Sequence, residues 1–117
     1  MNPFRSMNPR IIKRLEDAIE ACERVQGFLK NITIDTFLGS ELLRSAVERQ
    51  LEIIGEALNA ASKADESLVN IIPDLPRIVG LRNRLIHGYD SVDAEIIWDV
   101  VKHNIPILVR QLKRGLA

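Results

Sequence analysis

The sequence is poor in the residues that most narrow a protein's chemistry. Cys22 is the one cysteine among 117 residues, so no disulfide can form within the chain. With only two histidines beside it, it falls short of an ordinary structural zinc site. No metal and no cofactor is expected, and a reducing cytoplasm suits a chain with a single thiol. Aromatic residues make up 4% of the chain, too few for a platform that stacks unpaired bases, which argues against the single-strand-binding β modules. An excess of one charge is lacking too. Sixteen basic and 16 acidic residues cancel, so no overall field draws the protein to nucleic acid or to an anionic membrane, and any such attraction must come from a local patch. No apolar run approaches the ~18 residues of a membrane span, and the opening MNPFRSMNPR has no apolar core of a secretory leader. No membrane association is expected.

What the chain does have is helical periodicity. A hydrophobic content of 46% in 117 residues is that of one domain around one core, so residues 1–117 are read as a single helical domain, with 1–8 expected to be flexible. Asn8-Pro9 has the form of a helix cap followed by proline at the first helical position, and Ile11, Leu15, Ile19, Cys22, Val25 and Leu29 recur at helical spacing over roughly 9–30. Asp35 or Ser40 could cap a second helix from Glu41 to about Lys63, whose apolar residues spread over nearly half its circumference and predict packing on two sides. ADESLVNIIPDLP is a connector, after which Asp74 could cap a short helix over about 75–87 that Gly88 would terminate. A last helix spans about 93–114. It contains Pro106, whose missing donor and ring predict a kink. With no strand-like alternation and no repeat, the fold class is all-α: an antiparallel bundle of four main helices, the first pairing with the second and the third with the fourth.

Three of these helices carry a polar residue inside the apolar arc. Arg82 lies among Ile78, Val79, Leu85 and Ile86, Gln50 among Ala46, Val47, Ile53 and Ile54, and Asn104 among Val100, Val101, Ile107 and Leu108. A buried guanidinium stays charged and must be matched, so the three intrusions are expected to converge. The competing expectation is an Arg82 that snorkels to the rim or pairs with an acid such as Glu56, with Gln50 and Asn104 in ordinary internal hydrogen bonds. His87 falls about 140° from Arg82 on a straight helix, on the face of Asn83, Gly80, Arg84 and Arg77. One helix therefore cannot aim both at one atom. Either it loosens before Gly88, or a second copy of the chain supplies the other half of a shared site. Between Asp74 and Asp90 stand Arg77, Arg82, Arg84 and His87 without any acid, a local basic patch suited to a phosphate. His103, at the edge of a polar face, is expected at the surface, and Trp98 in the core or in dimer packing.

Arg82, His87 and Tyr89, in the pattern arginine, four residues, histidine, one residue, tyrosine, resemble the signature of HEPN-domain ribonuclease toxins of the HepT type. The preceding LEIIGEAL and the following VDAEIIWDVVKHNIPIL resemble the same family, so the likeness covers nearly the whole chain. It implies an all-α HEPN-like homodimer acting as a metal-independent endoribonuclease toxin on RNA, paired with a minimal nucleotidyltransferase antitoxin. Carried over, Arg82 would hold the scissile phosphate and His87 would move protons. Asn83 would match the polar residue that follows the arginine, and Tyr89 the tyrosine that the antitoxin can modify with AMP. Where many relatives have a tryptophan at the start of the third helix, this chain has DLPRIVG, a change in packing more than in chemistry. The alternative is a non-catalytic HEPN partner that binds a nucleotide or a protein through the same patch. The presence of both Arg82 and His87 favours the nuclease.

Overall fold

The computed structural model describes Phe4 and residues 6–87 and 92–117, and among these it contains helices and no strand. In chain order the helices are α1 (Pro9–Phe28), α2 (Ile34–Gly39), α3 (Glu41–Ala64), α4 (Leu68–Ile71), α5 (Leu75–His87), α6 (Ala94–Asp99), a π-helical turn (Val100–Asn104) and α7 (Ile105–Leu116). The four main helices of the sequence reading are α1, α3, α5 and the interrupted helix α6–α7. Their architecture is all-α.

Local chemistry sets the boundaries. Asn8 Oδ1 accepts from the Arg10 N–H at 2.8 Å, with Pro9 behind it where a missing N–H costs nothing. Ser40, rather than Asp35, caps the second long helix: its Oγ accepts from the Leu43 N–H at 3.1 Å. Asp35 sits instead in the first turn of α2, a short helix not expected from the sequence. Six residues are too few for periodicity to mark, yet Thr33 caps them by accepting from the Thr36 N–H at 3.2 Å, and Phe37 is fully buried. Asn31, at φ 59°, turns the chain between α1 and α2 in the left-handed region that asparagine tolerates. Phe4, in the leading segment, is buried, its N–H donating to the Gly115 carbonyl at 3.1 Å, a placement nothing in the sequence pattern suggested.

α3 is the central helix. α1 packs along one side of it and α5 along another, as its wide apolar arc predicted, and α7 closes against α1. Leu15, Ala18, Cys22 and Val25 of α1 meet a core that includes Leu51, Ile54 and Leu58 of α3, Ile78 of α5 and Ile105, Leu108 and Leu112 of α7. Cys22 is fully buried, and that burial, with a smaller push from Glu23, raises its thiol pKa to about 12; it is a core side chain, not a nucleophile. The expected pairing of the third helix with the last is only partly realised. They run antiparallel, with Asp74 beside Asn104 at one end, but a cleft separates them and α5 packs chiefly on α3.

The distortion that Pro106 predicts takes the form of the π turn. Ile105 donates back to the Val100 carbonyl, five residues away. A widened turn relieves the clash of the proline ring with the carbonyl four residues before it. Lys102 sits on this turn. Its Nζ lies 4.8 Å from the Trp98 ring centroid and 3.2 Å from the Leu29 carbonyl, and Trp98 in turn packs 5.5 Å from Phe37.

The α3–α5 contact depends on Gly55. A Cβ there would lie 2.2 Å from Arg82 Cβ, 2.7 Å from its Cγ and 3.3 Å from the Ile78 carbonyl oxygen. The two backbones approach because residue 55 has no side chain, and the Arg82 stem fills the space. Gly80, by contrast, would meet nothing within 4 Å. Gly55→Ala is therefore expected to destabilise the fold by about 1 to 3 kcal/mol through overpacking. Gly80→Ala, at an open helical position, should stabilise it by up to about 1 kcal/mol. Urea unfolding of both variants reads the difference, and similar effects from the two would show that the close approach at Gly55 is not what spaces α3 from α5.

Candidate active site

α5 opens at Asp74, whose carbonyl accepts from the Ile78 N–H at 3.1 Å, and Leu75, Ile78 and Leu81 bury its inner face. Arg82 follows at the edge of that face. It is half-buried, not sealed. Its stem crosses Gly55, its Nε is buried with no hydrogen-bond partner, and one terminal nitrogen donates to Asn83 Oδ1 at 2.9 Å. Among the described residues it pairs with no carboxylate, and Glu56 is exposed. Of the two expectations, snorkelling to the rim is the one observed. Asn83, exposed beside it, fixes the direction of the guanidinium.

The other two intrusions do not join Arg82 within one chain. Asn104 Nδ2 donates to Asp74 Oδ2 at 3.3 Å. That places it at the opposite end of α5, about 12 Å along the axis from Arg82. Gln50 is half-buried with its Oε1 unpartnered, and it lies about 140° around α3 from Gly55, at the far edge of the buried arc. Convergence failed because each intrusion sits at a different edge of its own stripe, which a helical wheel of one element cannot reveal. Asn104 is satisfied by an acid that the wheel of its own helix does not contain.

His87 is the last residue of α5 and is exposed. α5 is helical without interruption from Leu75 to His87, so it does not loosen, and Arg82 and His87 stay about 140° apart. Gly88, Tyr89, Asp90 and Ser91 lie outside the described residues, and with them the modification reading of Tyr89 and the helix-ending reading of Gly88. His103 is exposed as expected, its Nδ1 3.1 Å from the Asp99 carbonyl oxygen, and Trp98 is half-buried against Phe37. Among the described residues no group of three or more His, Cys, Asp or Glu side chains is placed to hold a metal, and no helix is long and apolar enough to cross a membrane.

Two residues near the site were missed. Gly55 sits inside LEIIGEAL, and a lone glycine within a strongly helical run is the available signal of a close backbone approach. Glu48, seven residues before it on the same face of α3, has its carboxyl pKa raised, by burial first and by Glu52 second, with Arg44 opposing. No sequence pattern marked it, because its desolvation comes from packing between helices.

Comparison with known proteins gives the family. A family model described as ribonuclease HepT-like matches residues 18–114. The chain is 34% identical to a Methanocaldococcus jannaschii protein provisionally named an RNase, over 92% of this chain and 98% of that one. It is 36% identical to a probable ribonuclease HepT of Thermococcus cleftensis, over 80% and 84%. It is 27% identical to the tRNA nuclease HepT of Aphanizomenon flos-aquae, over 87% and 89%. No solved structure matches.

The placement of Arg82 changes what its removal should do to folding. A sealed, matched guanidinium would cost about 1 to 3 kcal/mol to delete. Here Arg82→Ala loses stem packing over Gly55 but also removes an unpartnered buried donor, so about 1 kcal/mol is expected. His87→Ala, at an exposed helix end, should change stability by less than about 1 kcal/mol. Chemical denaturation checks both, and a loss above about 3 kcal/mol for Arg82→Ala would mean that the guanidinium is matched after all.

Proposed function

Because the chain belongs to the ribonuclease HepT-like family, we propose that it is a metal-independent endoribonuclease toxin that works in the cytoplasm as a homodimer, with Arg82 of one chain and His87 of the partner subunit serving one scissile phosphate. The observation that carries this reading is the unbroken α5, which turns the two side chains about 140° apart in a single chain. The outer end of the Arg82 guanidinium supports it, since among the described residues no carboxylate pairs with it and a phosphate could.

RNA supplies its own nucleophile. A neutral imidazole of His87 takes the proton of the 2′-hydroxyl, and the 2′-oxygen attacks the adjacent phosphorus. The bond to the 5′-oxygen of the next nucleotide then breaks, and that oxygen leaves with a proton. The second imidazole of the dimer is a candidate donor of that proton. Charge builds on the non-bridging oxygens, where the Arg82 guanidinium, held by Asn83, stabilises it with paired N–H groups. The products are a 2′,3′-cyclic phosphate and a 5′-hydroxyl, and no step needs a metal. The same reading includes a minimal nucleotidyltransferase antitoxin as partner. An AMP group placed by it on Tyr89, two residues from His87 in sequence, would add negative charge and bulk where the substrate phosphate belongs.

Cleavage of mixed RNAs is expected to persist in EDTA, to leave 2′,3′-cyclic ends, and to vanish in Arg82→Ala and in His87→Ala. Activity lost to EDTA and restored by magnesium would refute this chemistry. Mixing the two inactive variants, each dimeric by light scattering, should restore cleavage by completing one site in the heterodimer. Inactivity after proven subunit exchange would mean that both residues of a working site come from one chain, or that both copies of each are needed, the second imidazole as proton donor included.

A further inference from the structure

α5 has a second polar face that neither the core nor Arg82 uses. Arg77 and Arg84 lie within about 20° of each other around the helix and about 10.5 Å apart along it, and His87 follows about 4.5 Å beyond Arg84 on the same side. Between the arginines is Gly80, where a side chain would meet nothing within 4 Å. This face borders a cleft of about 300 Å³ between α5 and α6, lined by Arg77, Gly80, Leu81, Arg84, Ile96 and, at its base, Val100 with Ile78. That volume is at the lower end of the range for sites that enclose small ligands, about 300 to 1,000 Å³.

We propose that this cleft seats the RNA strand on its way to His87, with Arg77 and Arg84 holding backbone phosphates and the apolar floor receiving a base. The assignment rests on the nuclease reading above and extends it to the mode of substrate binding. Charge is the first reason. No acidic side chain lines the cleft, and among the described residues neither Arg77 nor Arg84 pairs with a carboxylate, whereas Arg24 and Arg49 are bridged to Glu20 and Glu52. The floor is the second. Ile78, Leu81 and Val100 are buried beneath it and Ile96, 42% exposed, stands at its edge. Two cations alone would take any anion. Two cations flanking an apolar shelf suit an anion that carries a flat apolar group, which is a nucleotide. Position is the third reason: the cleft opens on the His87 side of α5, about 140° from Arg82, so a strand lying in it runs toward the proton-moving group of its own chain while the phosphate-holding arginine arrives from the other.

The test uses the full chain and a short, mixed-sequence, fluorescein-labelled 2′-O-methyl RNA, which lacks the nucleophile and stays intact. In fluorescence anisotropy Arg77→Gln/Arg84→Gln is expected to weaken binding about tenfold or more and to flatten the slope of log affinity against log salt by about 1.4, two single-strand phosphate contacts. Gly80→Phe, which fills the cleft at an open position without changing charge, should weaken binding comparably. Arg10→Gln/Arg14→Gln removes the same charge from exposed positions on α1 and should not. On cleavable RNA the cleft variants raise KM with kcat nearly unchanged. Native-like affinity in Arg77→Gln/Arg84→Gln overturns the proposal, and so does an effect of the arginine pair matched by the α1 control. Cleavage by the native chain with unchanged KM in the cleft variants would remove the cleft and leave the nuclease reading standing. Binding that the cleft variants lose, by a native chain that never cuts, would remove the nuclease and leave an RNA site. Failure of the native chain to bind the probe would overturn the cleft outright.

Discussion

The contact on which the site depends is the approach of α5 to α3 at Gly55. Helices separated by ordinary side chains would hold Arg82 away from the core. Here the missing Cβ brings the Arg82 stem against the α3 backbone, sinks its Nε below the surface and leaves only the end of the guanidinium outside. A long, flexible cation is thereby held along its stem by packing and at its tip by Asn83. Less conformational entropy then remains to be lost when a phosphate binds. Preorganisation of this kind is what an electrostatic site needs, and it comes from a glycine on a different helix.

From that contact the rest of the arrangement follows by helical geometry. With Arg82 committed to the α3 side, an unbroken α5 must present Arg77, Gly80, Arg84 and His87 to the other side, the first three of them at the cleft toward α6. The π turn before Pro106 lies on the helix that forms the opposite wall. By absorbing the proline it lets α6 and α7 continue as one element instead of breaking into two, so Ile96 and Val100 face α5 while Ile105, Leu108 and Leu112 remain in the core. A cationic strip and an apolar wall therefore face each other across a gap, in a molecule whose formal net charge is zero. Neutrality limits long-range attraction for nucleic acid, and the local absence of carboxylates restores it where α5 is exposed.

Much of this was legible in one dimension. The caps at Asn8 and Ser40, the long amphipathic runs and the proline-interrupted last helix are local signals, because hydrogen bonds within a few residues and a period of 3.6 determine them. The Arg82–His87 spacing and its flanking blocks likewise identified the ribonuclease HepT-like family, to which the chain belongs. Even the divergence of the two side chains could be computed from their separation in sequence. Short α2 escaped notice because Phe37, which anchors it, is a single residue whose burial depends on partners far along the chain.

What the sequence determined by itself, then, was the long helices, the family and the residues of the basic patch, all consequences of chemistry within a few turns of chain. Tertiary structure alone decided how those residues are grouped. Asn104 went to Asp74 and Gln50 to the far edge of α3, so neither joined Arg82. Gly55 became the seat of an arginine 27 positions away, and the third helix chose α3 as its main neighbour and left a cleft against α6. The physical reason is that a helical wheel records the direction of a side chain about its own axis and nothing else. Which atom it meets depends on the distance and rotation between helices, and those are set by the packing of the whole core.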